Sequence, residues 1–222
     1  MHVPVRAPRS ARTRRTGPRI GVFGGSFDPP HQGHLALAEW ARIELGLQQV
    51  VFVPAGTPPH KRAAGLTPVH HRVAMTRLAV RGNAAFTVST IEARRAGPSY
   101  TANTLVALAA VWPQATLHLL MGADMYATFD QWRDPAAIAA RAVLVVAGRP
   151  GSGRRTVSRE AKRGLGVVWL TNPGLEVSSS ALRDRVAKGL GARYLLPEAV
   201  ERYIDRHRLY VRRRRPPLRR DA

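Results

Sequence analysis

Short apolar runs alternate with longer stretches of helical periodicity from residue 19 onward, and this alternation constrains the fold more than any other feature of the chain. Strands of a parallel sheet read as unbroken apolar runs, because crossover helices cover both of its faces. Residues 20–23 and 142–147 have that character, and further strands are expected at 50–53, 86–89, 116–121 and 167–170. Helices are expected between them at 34–45, 68–80, 101–111 and 135–140, with two more at 179–188 and 197–206. Pro68 and Pro197 suit a first helical position, where a missing N–H does no harm, and Ser178 or Ser179 can cap the helix that follows. In the first helix Leu35, Leu37, Ala38, Ala41 and Leu45 are available to an inner face. Trp40, Trp112, Trp169 and His118 fall within or beside expected core elements and attract no functional role. The βαβα order predicts an α/β fold on a doubly wound parallel sheet, Rossmann-like, with a small C-terminal helical part.

A chain of 222 residues with 45% hydrophobic content can bury one full core, so one domain is expected over residues 19–210, between basic tails at 1–18 and 211–222. The net charge of +21 invites a nucleic-acid reading, since basic surfaces neutralise phosphates and release counterions. Its distribution argues otherwise: six arginines lie from Arg6 to Arg19 and six more in the last twelve residues, so about half the excess belongs to the ends. No recognition helix or RNA-stacking motif accompanies it, and basic composition alone reports non-specific association, so no specific nucleic-acid partner is expected. Pro4, Pro8 and Pro18 would interrupt the amphipathic helix of a transit peptide, which leaves a disordered tail as the reading of residues 1–18. The absence of cysteine excludes disulfides and thiolate metal sites and favours the cytoplasm. No apolar stretch approaches the roughly 18 to 20 residues that span a bilayer, so a soluble protein without a membrane partner is expected, as a monomer or homodimer.

Ligands of open α/β sheets bind beyond the carboxyl ends of the strands, where strand order reverses. Five segments in such places carry polar or glycine-rich chemistry: 24–34, 54–61, 122–132, 148–150 and 177–183. The first reads Gly24-Gly25-Ser26-Phe27-Asp28-Pro29-Pro30-His31-Gln32-Gly33-His34, joining a strand to a helix. Glycines let backbone N–H groups approach an anion, and the helix start adds its positive dipole end, so the segment outlines a phosphate cradle. It is neither the dinucleotide fingerprint nor the P-loop. His31 and His34 can turn toward one ligand, with Gly33 keeping the space open; the alternatives are a metal pair or two surface histidines, although zinc usually takes three or four protein ligands. In segment 177–183, helix N–H groups, the Ser180 hydroxyl and the Arg183 guanidinium can face one phosphate, or the segment is simply a capped amphipathic helix. Lys61 and Arg149 are cations at the ligand edge of the sheet, and Asp124 can accept from ribose hydroxyls or stabilise a turn.

Residues 24–34 resemble the GGSFDPxHxGH signature of the HxGH nucleotidyltransferase superfamily. Segments 54–61, 98–101, 122–132, 148–151 and 177–183, and a closing stretch from Tyr194 to Tyr210, narrow the resemblance to bacterial-type nicotinate mononucleotide adenylyltransferase over about residues 19–210. The resemblance implies transfer of AMP from ATP to nicotinic acid mononucleotide, with release of pyrophosphate, in NAD biosynthesis. It implies ATP contacts from Gly24, Gly25, Ser26, Phe27, His31, His34, Asp124, Arg149, Ser178, Ser179, Ser180 and Arg183. His31, His34, Lys61, Ser180 and Arg183 would serve the reaction, and Lys61, Thr101 and Trp132 the acceptor, with the Trp132 indole stacking on the pyridine ring unless it is a core residue. Magnesium is implied through ATP phosphates rather than a protein cage, so no metal ligand is expected from the chain. Asn103 stands where the family often has aspartate, and Ser180 where threonine is common. Nicotinamide mononucleotide and phosphopantetheine are the alternative acceptors, and a basic nucleic-acid-binding protein is the alternative outside enzymes.

Overall fold

The computed structural model describes residues 17–58, 65–148, 166–171 and 174–211. Strands β1 (Arg19–Gly25), β2 (Gln49–Pro54), β3 (Phe86–Val88), β4 (Thr116–Gly122), β5 (Ala142–Ala147) and β6 (Val167–Leu170) form one sheet in the order β3-β2-β1-β4-β5-β6. Every neighbouring pair is parallel. The helices are α1 (Gln32–Leu45), α2 (Val69–Val80), α3 (Thr101–Val111), α4 (Ala123–Ala127), α5 (Pro135–Arg141), α6 (Ser179–Ala187) and α7 (Glu198–Arg206). Strand order runs outward in opposite directions from the β1/β4 pair, so the topological switch point lies beyond the ends of those two strands.

Alternate residues of each strand face opposite sides, and both sides are apolar, which is why the strands lack a polar stripe. Val22, Val51, Leu119 and Leu144 enter a core closed by Leu105 and Leu108 of α3 and Ile138 of α5. Phe23, Val50, Phe52, Leu120 and Val145 enter a second core closed by Ala38 and Ala41 of α1 and Val80 of α2. A third cluster lies off the sheet, where Met75 and Ala79 of α2 pack with Leu182 of α6, Leu196, and Val200 and Ile204 of α7. The expected C-terminal helical part is thus a layer docked on α2.

Four details differ from the sequence expectations. Pro68 and Pro197 stand as the N-caps of α2 and α7, one residue before the first helical position expected for each. The first helix begins at Gln32 rather than His34, because the His34 side chain folds back to accept the His31 backbone N–H at 3.1 Å, as a Glu or Gln does in a capping box. Helix α4 and a 3-10 turn at Phe129–Gln131 occupy a stretch given no regular structure, being too short to show periodicity. Trp40, expected beside the core, is 41% exposed, with its indole N–H donating to Glu44 at 2.9 Å one turn along α1.

Candidate active site

The loop after β1 is held from remote parts of the chain. Arg72, on α2 and only 1% exposed, places Nη1 2.9 Å from the Ser26 carbonyl, Nη2 3.0 Å from that of Gly56 and Nε 2.8 Å from that of Thr67. One buried guanidinium thereby joins the loops after β1 and β2 to the lead-in of α2, with Nε, Nη1 and Nη2 each donating to a different backbone carbonyl. The Asp28 carboxylate, fully buried, accepts from the Tyr210 hydroxyl at 2.7 Å and the Thr67 N–H at 3.1 Å. Gly56 admits no side chain, since a Cβ there would lie 2.4 Å from the Glu92 carbonyl oxygen.

His31 is the N-cap of α1 and His34 stands in its first turn. Their rings stack with centroids 3.6 Å apart and planes 27° apart. Because His34 Nδ1 accepts a backbone N–H, the neutral ring carries its proton on Nε2. His31 is 5% exposed, and its buried Nδ1 finds no hydrogen-bond partner among the described residues. Desolvation pushes the His31 pKa down to about 4, so the ring is neutral near pH 7. Two stacked imidazolium ions at this separation would repel strongly, and the neutral pair avoids that cost. Gly33 leaves the stack room: a Cβ there would lie 3.1 Å from His31 Nδ1.

Helix α6 begins against the same loop, across 150 residues of sequence. The Ser179 hydroxyl donates to the Pro29 carbonyl at 2.8 Å and Arg183 Nη1 to that of Asp28 at 2.8 Å. Ser178 caps the helix by accepting the Ala181 N–H at 3.2 Å, and its hydroxyl lies 3.2 Å from that of Ser180, which is exposed. The segment read as one phosphate grip therefore divides its work: Ser178 caps, Ser179 and one arm of Arg183 fasten the loop, and the helix start with Ser180 faces outward without an acidic residue in its first turn.

Two of the three expected acceptor residues, Thr101 and Trp132, lie at another part of the edge. Thr101 opens α3, and the preceding loop is zipped to the one after β2: the Ser99 hydroxyl accepts the Gly56 N–H and the Ser99 N–H reaches the Thr57 carbonyl, both at 2.9 Å. Trp132 is half-buried, with its ring 5.6 Å from that of Phe129 and packed against the β4/β5 core, so part of the indole is core and part reaches the surface. Arg133 lies 4.6 Å over the Tyr100 ring and so ties the Trp132 segment to the start of α3. Asp124 is exposed in the first turn of α4, directly after Gly122 at the end of β4. Lys61 and Arg149 lie outside the described residues.

A cytidylyltransferase-like family model matches residues 22–185. The probable nicotinate-nucleotide adenylyltransferase of Thermomicrobium roseum is 43% identical over 200 residues, covering 86% of this chain and 91% of that protein. The one from Gloeobacter violaceus is 41% identical, covering 87% and 97%. The chain belongs to the nicotinate-nucleotide adenylyltransferase family. Among solved structures, the nicotinic acid mononucleotide adenylyltransferase of Plasmodium falciparum complexed with NaAD shares the fold, with a TM-score of 0.71 at 18% identity over 87% of this chain and 97% of that one.

Within this adenylyltransferase the sequence alone suggested no role for Arg72 or Tyr210, although both grip the loop after β1. A signal for Arg72 was present: with Met75, Thr76 and Ala79 it occupies the 3.6-residue stripe that α2 buries, a costly place for an unpartnered cation. Tyr210 had none beyond the family likeness. Among the described residues no group of three His, Cys, Asp or Glu side chains could hold a metal ion, and no helix is long and apolar enough to cross a membrane.

Proposed function

We propose that this adenylyltransferase transfers AMP from MgATP to nicotinic acid mononucleotide, giving nicotinic acid adenine dinucleotide and pyrophosphate. The observation that carries the reading is the stacked His31–His34 pair at the start of α1, beside the start of α6. The attacking group is a phosphate oxygen that is already anionic, so the site needs no general base; it needs alignment and donors aimed at developing charge. His34 Nε2–H suits the α-phosphoryl oxygen as negative charge grows there, and His31 supports a neighbouring phosphate oxygen. The N–H groups of α6, with Ser180 and the remaining guanidinium nitrogens of Arg183, suit the β- and γ-phosphates that leave as pyrophosphate. Gly24 to Phe27 bring backbone to the nucleotide, and Asp124 suits the ribose hydroxyls.

Both Asp28 carboxylate oxygens are engaged by the protein. That agrees with a magnesium ion carried by the phosphates and water, where it would neutralise phosphate charge. On the acceptor side, Trp132 stacks on the pyridine ring while the Thr101 hydroxyl and the first N–H groups of α3 meet the nicotinate carboxylate. Lys61 and Arg149 are proposed as further phosphate contacts. Pyrophosphate release with MgATP and nicotinic acid mononucleotide, nicotinamide mononucleotide or phosphopantetheine tests this. Strong preference for the first, lost in His34→Ala, is the expected result; preference for another acceptor overturns the pocket assignment, and no release with any of them overturns the activity.

A further inference from the structure

The last described turn of the chain delivers one phenol into the phosphate loop. After α7, Arg208 at φ 49° and Tyr210 at φ 66° both adopt the left-handed conformation, which sterically disfavours residues carrying a Cβ. Packing of α7 on α2 guides the segment there, through Met75, Val200 and Ile204 and a 2.9 Å contact of His71 Nδ1 with the Tyr203 hydroxyl. The outcome is the Tyr210–Asp28 hydrogen bond, which spans 182 residues of sequence. Burial raises the phenol pKa far above its ordinary value, so Tyr210 remains a protonated donor.

Phe27, immediately before Asp28, is itself a non-glycine residue at φ 47°. On one side Arg72 holds the Ser26 carbonyl; on the other, Tyr210, Thr67 and Arg183 hold Asp28. The strained residue is thus clamped from both ends. Its ring, 1% exposed, stands edge-on to His34 with centroids 5.1 Å apart. Released at Asp28, Phe27 would relax toward negative φ and take away the wall against which the His34 imidazole rests.

We propose that Tyr210 is a positioning residue for adenylyl transfer: its hydrogen bond to Asp28 closes the clamp on Phe27 and thereby sets the orientation of His34. The proposal rests on the reading that this loop serves the phosphates of ATP. A hydrogen bond to a charged acceptor commonly carries a tenfold effect or more, and one felt mainly in the transition state appears in kcat rather than KM. The experiment compares full-length Tyr210→Phe and Leu209→Ala, Leu209 being packed in the same C-terminal cluster without serving the loop. Steady-state kcat and KM for ATP and nicotinic acid mononucleotide are measured, together with the His34 ring resonances by NMR in the nucleotide-free protein. Tyr210→Phe is expected to lose about tenfold in kcat, to keep each KM within about twofold and to shift the His34 resonances, while Leu209→Ala does none of these. Unmoved His34 resonances, a kcat loss no larger than that of Leu209→Ala, or a rise in KM matching the loss in kcat would overturn the proposal. A wild-type protein that transfers no adenylyl group overturns the functional reading instead, and the resonances then decide the clamp by themselves.

Discussion

The two ends of the site are built differently. At the proposed phosphate end the loop backbone is gripped by the buried Arg72 of α2 and by half-buried polar side chains from α6 and the C-terminal turn, each bonded to a backbone carbonyl or to the Asp28 carboxylate. At the proposed acceptor end Trp132 and Arg133 lie partly or wholly at the surface, and ring packing with one cation–π contact joins them to α3 and the core. The contrast follows the demands on each end. Stabilising charge that develops at phosphorus requires donors fixed in advance, whereas holding a flat ring requires mainly contact area. Substitutions at the first end should therefore appear in stability and kcat, and those at the second in KM.

The largest effect is expected from Arg72→Ala. It removes a buried guanidinium and leaves three carbonyls without their donor, at a cost of about 3–5 kcal/mol in urea unfolding; a loss below 1 kcal/mol would break the idea that the grip matters. Next comes His34→Ala, with kcat lower by about 10²–10³-fold and little change in the affinity for ATP. Equal losses in both would place His34 in ground-state binding.

His31 gives a pH test of the same end. Its folded pKa lies near 4, below the ordinary 6.5, so the unfolded chain takes up a proton that the folded chain refuses. This contribution is full above pH 6.5 and drains as pH falls toward 4, amounting to about 2 kcal/mol between pH 7 and 5. Denaturation at the two pH values should show that difference between wild type and His31→Gln, and identical pH dependence in both would remove His31 as its source. The smallest effect belongs to the acceptor end: Trp132→Ala should raise KM for the mononucleotide by about tenfold with kcat nearly kept. A loss confined to kcat would erase the contrast between the two ends.

Most of the sheet was legible from the chain, because burial on both faces leaves unbroken apolar runs and the crossover helices keep a 3.6-residue rhythm. What escaped was set by geometry at short range or long range. The early start of α1 depends on a histidine acting as a capping residue, and the α4 segment is too short for any period. Trp40 reads as core by residue type, yet it stands on the outer face of α1.

The α/β class, the order of the elements, and a glycine-rich loop with two histidines at the head of the first helix are legible along the chain, since each of these is written in consecutive or periodically spaced residues. That Ser179 and Arg183 fasten that loop, that Arg72 joins three segments, and that Tyr210 reaches Asp28 follows from the packing of the folded chain. Those partners lie between 5 and 182 residues apart and meet through backbone carbonyls or a single carboxylate. A carbonyl is common to every residue, so no local pattern names it as a partner; the packing of α2, α6 and α7 brings the donors within reach.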